Sequence, residues 1–104
     1  MNAKAWRLYG ASDLRLEDVG LESAGEDGIV VEILANSVCV SDYKCVTLGA
    51  GHKRVPDDVA GNPVMVGHEM VGVVEEVGSA VTTVKPGDRV TVNVETFCGE
   101  CFFC

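Results

Sequence analysis

The sequence has no long hydrophobic run. No stretch of about 18 apolar residues occurs in its 104 positions, so no segment is expected to span a membrane. Residues 1–9 have no long apolar stretch followed by a small-residue cleavage site, and so do not resemble a secretion signal. Basic residues are scarce, with eight Lys and Arg against sixteen Asp and Glu. Because nucleic acids bind clustered cations, we expect no nucleic acid as partner. The lack of a secretion signal and of a long apolar run predicts a cytoplasmic protein without a membrane partner.

Helical periodicity is nearly absent, as are glycine-rich turns that lead from a strand into a helix. The second absence excludes a doubly wound nucleotide-binding sheet from these residues. What remains is a series of short runs rich in Val, Ile and Thr, separated by turn residues. This pattern is typical of a small barrel or a partly open sandwich, and the length allows one small domain. The predicted fold class is therefore mainly β, with short helices.

The order of the predicted elements follows the turn residues. Strands are predicted at residues 4–9, 14–19, 29–35, 64–66, 70–77 and 89–94. Turns are predicted at residues 10–13, 23–28 and 85–88. A short helix is predicted at residues 41–48, with Ser41 or Asp42 as its N-cap, and an irregular loop at residues 49–63.

Three of the five cysteines, Cys98, Cys101 and Cys104, lie in the last seven positions at a constant spacing of three. In a reducing compartment such thiols are more often metal ligands or catalytic groups than disulfides. The spacing suits three corners of a tetrahedral zinc site. An iron–sulfur cluster is the competing metal, and buried or redox-active thiols are the alternative without a metal. Because three thiolates leave one position open, we expect a fourth cysteine a few residues downstream in a longer parent protein.

A second candidate cluster combines Cys39 with His68 and Glu69. Cys39 follows one predicted strand, and His68 and Glu69 precede another. A thiolate, an imidazole and a carboxylate suit zinc, and a catalytic zinc needs only three protein ligands because one position stays open. The spacing alone is a weak signal, because Cys39 and His68 lie 29 positions apart and single cysteines and histidines often belong to the core.

Four motifs together resemble one family. Residues 67–81, GHEMVGVVEEVGSAV, closely resemble the zinc-binding signature of the medium-chain dehydrogenase/reductase family, which includes the zinc-dependent alcohol dehydrogenases. The sequences CVSD at 39–42 and KPGDRV at 85–90, with the three C-terminal cysteines, resemble the same family in order and approximate separation. The loop at 49–56, followed by Asn62 and Pro63, is similar to the L-sorbose 1-phosphate reductase branch.

This resemblance implies the fold and the place of the chain in a larger enzyme. Residues 1–104 would form a GroES-like, partly open β-barrel, the N-terminal catalytic domain of a two-domain enzyme. The chain would be truncated at the structural-zinc lobe, residues 95–104, with the Rossmann domain absent from it. Family members are commonly dimers or tetramers, so a homo-oligomer is expected at full length.

The resemblance also implies the roles of the site residues. A catalytic zinc would be held by Cys39 and His68, with Glu69 as a ligand or close neighbour and a further ligand beyond this chain. Cys98, Cys101 and Cys104 would hold a structural zinc. Ser41 has the position of the hydroxyl that passes the alcohol proton outward, and Asp42 that of the carboxylate that orients His68.

The implied activity is that of a zinc-dependent, NAD(P)-linked alcohol or polyol dehydrogenase. Hydride would pass between a secondary alcohol, either a polyol or a sugar phosphate, and a nicotinamide cofactor. The 104-residue chain by itself is expected to be inactive, to bind zinc weakly and to be only marginally folded, because ligation and folding are coupled.

The resemblance gives no settled role to Lys44, to Cys45 or to the basic residues at 52–54. Lys44 stands where some family members carry a histidine that extends the proton relay, so either the relay ends at Ser41 and water or Lys44 serves differently. Cys45 is expected to be a buried free thiol. The cations at 52–54 are either an exposed charged loop or a site for a phosphorylated substrate.

Two other functional classes remain open. The first is a non-catalytic zinc-binding GroES-like module or remnant, and the observation in its favour is that nothing in the chain binds a dinucleotide. The observation in favour of the enzyme is that Ser41 and Asp42 lie beside Cys39, since a purely structural site has no use for a relay hydroxyl. The cysteines disfavour a third class, the zinc-free quinone reductases.

Overall fold

The computed structural model describes residues 1–104 and confirms the predicted mainly β fold class. Six strands, one α-helix and one 3₁₀ turn follow each other along the chain. The strands are β1 Asn2–Gly10, β2 Asp13–Gly20, β3 Ile29–Asn36, β4 Val64–Met65, β5 Met70–Val77 and β6 Arg89–Thr91. The helix α1 spans Val40–Leu48, and the 3₁₀ turn Gly49–Gly51 follows it directly. No helix is both long and apolar enough to cross a membrane.

The strands form two separate three-stranded sheets, ordered β2-β1-β4 and β3-β5-β6, and every pairing is antiparallel. In the first sheet β1 and β2 form a hairpin in which Asn2 pairs with Gly20 and Leu8 with Leu14. The hairpin turns at Ser12, whose φ of 57° is left-handed. Antiparallel neighbours need only short connections, which the predicted turn at residues 10–13 supplies.

The second sheet contains β3 and β5, two strands rich in apolar residues. β3 pairs with β5 from Ile29 opposite Val77 to Asn36 opposite Met70, with two irregularities that adjust the register. Gly72 lies in the middle of β5, where a Cβ atom would overlap the carbonyl oxygen of Glu32. Glycine at this position therefore allows β3 and β5 to approach closely.

The hydrophobic core is small. Only seven of the 104 residues are buried, and the apolar ones among them are Leu8, Val55, Val59 and Val74. Val55 and Val59 come from the loop between α1 and β4 and pack on Leu8 of β1, so this loop is anchored although it has no regular structure. Many large apolar side chains stay exposed, including Trp6, Leu34 and Val94.

The structure corrects three details of the predicted elements. The helix begins at Val40 with Cys39 as its N-cap, so neither Ser41 nor Asp42 is the cap. β6 ends at Thr91 instead of residue 94, because its partner β5 begins at Met70 and offers no further ladder beyond that point. The loop at residues 49–63 opens with a 3₁₀ turn, while its remainder is irregular as predicted.

Candidate metal centres

The β3–β5 ladder brings the first candidate cluster together. Because Asn36 pairs with Met70, the residues that follow β3 and those that precede β5 lie at the same end of the sheet. The Ser37 amide continues the ladder by donating to the Glu69 carbonyl at 2.8 Å. Cys39 and His68, distant in sequence, thus become neighbours.

The ligand atoms of Cys39, His68 and Glu69 all lie within 4.8 Å of one another. Cys39 and His68 are half-buried, whereas Glu69 is exposed. A thiol, an imidazole and a carboxylate at such separations can surround one ion with small adjustments, and this donor set suits zinc. The structure therefore brings together the three residues predicted as one cluster.

Asp42 connects three segments of the site. Its Oδ2 accepts a hydrogen bond from the Cys39 amide at 3.2 Å, which closes the first turn of α1. Its Oδ1 lies 3.2 Å from the Gly67 amide nitrogen and 3.2 Å from His68 Nδ1. With Nδ1 directed at this carboxylate, the other ring nitrogen faces Cys39 and Ser41, the orientation a metal-binding imidazole requires.

Ser41 lies between Cys39 and His68. Its hydroxyl donates to Cys39 Sγ at 3.2 Å, and its oxygen lies 3.4 Å from His68 Nε2. The first turn of α1 fixes this position, because Cys39 caps the helix and Ser41 is its second residue. A hydroxyl in contact with both ligands can accept or release a proton at the same point.

The electrostatics of the cluster favour the thiolate. The hydrogen bond from Ser41, followed by contacts with the Ser41 backbone and His68, lowers the pKa of Cys39 below its usual value. The hydrogen bond with Cys39 raises the pKa of His68, and the nearby Asp42 carboxylate raises it further. Since the thiolate is the form of cysteine that binds metals, the lowered pKa of Cys39 suits it for ligation.

Two residues that support Glu69 have no signal in the sequence. The Ser37 hydroxyl donates to Glu69 Oε2 at 2.8 Å, and the Asn36 side-chain oxygen accepts from the Glu69 amide at 3.1 Å. Both contacts depend on the pairing of the end of β3 with the start of β5. Neither Asn36 nor Ser37 was predicted from the sequence, because their role follows from strand register, which no local motif shows.

His68 lines two cavities. One, of about 530 Å³, is lined by His68 and Glu69 together with residues of the β5 and β6 edge. The other, of about 300 Å³, is lined by His68, Ser41, Asp42 and Cys45, and by Arg54 from the long loop. Val94 lines both cavities. A small molecule in either cavity can thus contact His68, together with Ser41 in one cavity or Glu69 in the other.

The second candidate cluster lies at the C-terminal end of the chain. The sulfur atoms of Cys98, Cys101 and Cys104 all lie within 4.8 Å of one another, and the three side chains are exposed. All are free thiols, and Cys101 Sγ lies 3.3 Å from Cys104 Sγ. Gly99 makes the turn between the first two with a φ of 76°, a conformation that favours glycine.

Backbone amides surround Cys98. The amides of Glu100 and Cys101 donate to its sulfur at 3.4 and 3.3 Å. These hydrogen bonds, that of Glu100 first, lower the pKa of Cys98 to about 6. The loop is therefore already folded around a thiolate, which is the state a zinc site of cysteines needs.

Lys44 and Cys45 occupy the same helix but differ in environment. Lys44 is exposed and does not line the cavity that Ser41 and Arg54 share. Cys45 is a free thiol but only half-buried, a correction of the expected buried one. Its sulfur lies 3.5 Å from His52 Nδ1.

Known proteins match much of this chain. Residues 25–104 match the family described as the alcohol dehydrogenase GroES-like domain. The L-sorbose 1-phosphate reductase of Klebsiella pneumoniae is 42% identical over 89 residues, which are 85% of this chain and 22% of that protein. The mannitol-1-phosphate 5-dehydrogenase of Aliivibrio fischeri is 45% identical over 71 residues, 68% of this chain and 17% of that protein. The chain thus spans about a fifth of the length of these relatives.

A solved structure has the same fold. A protein of Sinorhizobium meliloti 1021, assigned as a zinc-binding dehydrogenase and bound to NADP, superposes with a TM-score of 0.78 at 33% identity. The match covers 97% of this chain and 27% of that one. The GroES-like architecture and the family resemblance expected from the sequence are both confirmed.

Proposed function

The chain belongs to the family of alcohol dehydrogenase GroES-like domains, and from this premise we propose its function. Residues 1–104 form the N-terminal catalytic-domain portion of a zinc-dependent, NAD(P)-linked alcohol or polyol dehydrogenase, with residues 95–104 in its structural-zinc lobe. The enzyme transfers hydride between a secondary alcohol and a nicotinamide cofactor. The chain contains no parallel sheet with crossover helices, so we assign the cofactor to another part of the parent protein.

The contact of Ser41 with both Cys39 and His68 carries this proposal. A structural metal site is closed by its ligands and needs no free hydroxyl, whereas a catalytic site must move a proton. The Ser41 oxygen lies within 3.4 Å of both ligand atoms and lines a cavity open to small molecules.

The residues of the first cluster fit a catalytic zinc. A thiol with a lowered pKa and an imidazole held by a carboxylate are two donors, and Glu69 adds a third that can exchange with water or substrate. When bound, zinc polarises the alcohol oxygen and lowers its pKa.

The residues of the chain then orient the ligands and move the proton. Asp42 holds His68 Nδ1, so Nε2 remains directed toward Cys39. Ser41, which lines the cavity of about 300 Å³, accepts the alcohol proton. Lys44, exposed and outside that cavity, does not extend the relay, so the proton leaves through water. Ser37 holds Glu69 in the cavity of about 530 Å³.

The C-terminal cluster fits a structural zinc. Cys98, Cys101 and Cys104 supply three sulfur donors, and the amides around Cys98 stabilise its thiolate. We propose that a fourth ligand comes from the parent protein.

The substrate class follows from chemistry and relatives together. Two relatives bear names of enzymes that act on a sugar phosphate or a polyol phosphate. We therefore propose a secondary alcohol of a polyol or sugar phosphate as the substrate of the parent protein. We propose a homo-oligomer as its assembly.

The test is an assay of the full-length, zinc-loaded protein. Polyols and polyol phosphates are offered with NAD⁺ and with NADP⁺, and formation of the reduced cofactor is followed. We expect reduction with one substrate class, and its loss together with bound zinc in Cys39→Ser. A protein that binds zinc and cofactor but oxidises no alcohol and reduces no ketone contradicts the proposal.

A non-catalytic zinc-binding module is the second candidate. The exposed C-terminal thiol cluster favours it, because three thiols can hold a metal without a group that transfers protons. This module is the function that remains if the assay fails while zinc still binds.

A further inference from the structure

We propose that Arg54 binds the phosphate group of the substrate and so determines the specificity of the site for phosphorylated polyols. This inference rests on the proposed dehydrogenase function. Arg54 lies on the loop between α1 and β4, between the motif at 39–42 and the signature at 67–81, and belongs to neither. Of the basic residues at 52–54, it alone lines the cavity that contains Ser41 and His68.

The same cavity is lined by Arg54 and by Ser41 and His68 of the proposed catalytic site. It measures about 300 Å³, and no other Lys or Arg lines it. Its walls are otherwise mostly apolar, formed by side chains such as Val55, Met65 and Val94. An apolar cavity with a few convergent polar groups is the usual form of a small-molecule site. In a polyol phosphate one short carbon chain carries both the secondary hydroxyl and the phosphate, so both groups can lie here together.

The guanidinium of Arg54 has no partner within the chain. Arg7 and Arg15 pair with Glu17 and Asp13, and Lys85 pairs with Asp88. Arg54 forms no salt bridge, and its only hydrogen bond is made by its backbone. In a chain with a formal charge of −8, a cation without an acidic partner is available to a ligand. A guanidinium can bind a phosphate through two parallel hydrogen bonds.

The backbone around Arg54 is fixed although its side chain is exposed. The Arg54 amide donates to His52 Nδ1 at 3.2 Å, and the Val55 amide donates to the His52 carbonyl at 3.0 Å. Val55 itself is buried against Leu8. These contacts keep the Arg54 backbone at the cavity mouth, which reduces the entropy lost when its side chain binds an anion.

The carboxylate in the same cavity does not compete for Arg54. Asp42 lines the cavity, but its oxygens accept from Cys39, Gly67 and His68. The negative charge of Asp42 is therefore already engaged by these three hydrogen-bond donors. Glu69, the other acidic residue of the cluster, lines the cavity of about 530 Å³ instead.

The experiment compares Arg54→Gln with Lys53→Gln in the full-length, zinc-loaded protein. Lys53 is an adjacent exposed cation that does not line the cavity, so it is the matched control for charge. Activity and calorimetric binding are measured with a hexitol phosphate and with the same hexitol without phosphate. Arg54→Lys separates the loss of charge from the loss of bidentate geometry, and circular dichroism checks that each variant folds.

In Arg54→Gln we expect kcat/KM and affinity for the hexitol phosphate to fall at least tenfold more than those for the hexitol. Lys53→Gln should leave the ratio unchanged, and Arg54→Lys should fall between. If Arg54→Gln keeps the preference for the phosphate, or if the unaltered protein has no such preference, the inference is wrong. If the protein turns over neither compound but binds the phosphate through Arg54, the proposed function fails while the phosphate site stands.

Discussion

Asp42 shows how a single residue can serve both local structure and chemistry. Its carboxylate closes the first turn of α1 on Cys39 and also holds His68 and the Gly67 amide. The family motif predicted the contact with His68. The contacts with Cys39 and Gly67 were not predicted, because the sequence does not show that the start of α1 lies against the residues before β5.

At the same scale, we predict that Ser41→Ala reduces turnover more than substrate binding. The hydroxyl is the group that contacts both ligands, and a positioned proton-transfer group typically contributes about 10²–10⁴-fold to the rate. The measurement is kcat and KM of the full-length enzyme, with its zinc content determined in parallel. Thr47→Ala is the control, since its hydroxyl lies in the same helix and bonds only to backbone carbonyls. Equal kcat for Ser41→Ala and the unaltered enzyme would exclude the relay.

At the scale of elements, the pairing of β3 with β5 decides where the site lies. The sequence predicted both strands closely, and β5 without error in its bounds. It did not give their register, which is the choice of the residues that face each other across the ladder. The register then aligns the end of β3 with the start of β5, which places Cys39 beside His68.

The close approach of these strands predicts a penalty for Gly72→Ala. The added Cβ would overlap the Glu32 carbonyl and lie 2.5 Å from Val31 Cγ1. Because backbone must shift to make room, we expect the free energy of unfolding to fall by about 1–3 kcal/mol. Gly20→Ala is the control, since a Cβ there meets nothing within 4 Å. Denaturant unfolding of the zinc-loaded protein measures both, and equal stability of the two variants would refute the close approach.

The turn before β6 predicts a pH dependence. Asp88 accepts from the Lys85 amide at 3.0 Å and from Lys85 Nζ at 2.8 Å, and these bonds lower the pKa of Asp88 below its usual value. A carboxyl with a lower pKa in the folded state stabilises it above the unfolded pKa of about 3.9, and this contribution disappears as the pH falls through the folded pKa.

We therefore expect Asp88→Asn to lower the unfolding temperature at pH 7, with a smaller difference at the lowest pH at which the protein stays folded. Asp57→Asn removes an exposed carboxylate that forms no hydrogen bond or salt bridge, and should show no such trend. Thermal unfolding followed over this pH range makes the comparison. A difference between Asp88→Asn and the unaltered protein that does not shrink on acidification would contradict the role of the turn.

At the scale of the whole molecule, the core is too small to explain stability by itself. Four apolar residues are buried, while aromatic side chains such as Phe102 and Phe103 are almost fully exposed. The cluster of Cys39, His68 and Glu69 joins the residues that follow β3 to those that precede β5. A metal ion bound there would be a second source of stability.

We expect the 104-residue chain to unfold when its metal is removed. A chelator should abolish the near-UV circular dichroism signal, and added zinc should restore it, because binding and folding are coupled. Cys101→Ser should lower the zinc content, whereas Cys45→Ser, a free thiol outside both clusters, should not. A cooperative unfolding transition that is independent of metal would overturn this expectation.

The sequence by itself determined the mainly β fold class, the two sets of candidate metal ligands and the family. These depend on local composition and short spacings, such as the repeat of Cys98, Cys101 and Cys104, which chain geometry alone brings together. The tertiary structure decided that Cys39 meets His68, that Ser37 supports Glu69 and that Arg54 reaches the cavity lined by Ser41 and His68. Those contacts join distant segments through strand register and loop packing, and no local pattern fixes either, because both depend on how the whole chain packs its apolar side chains.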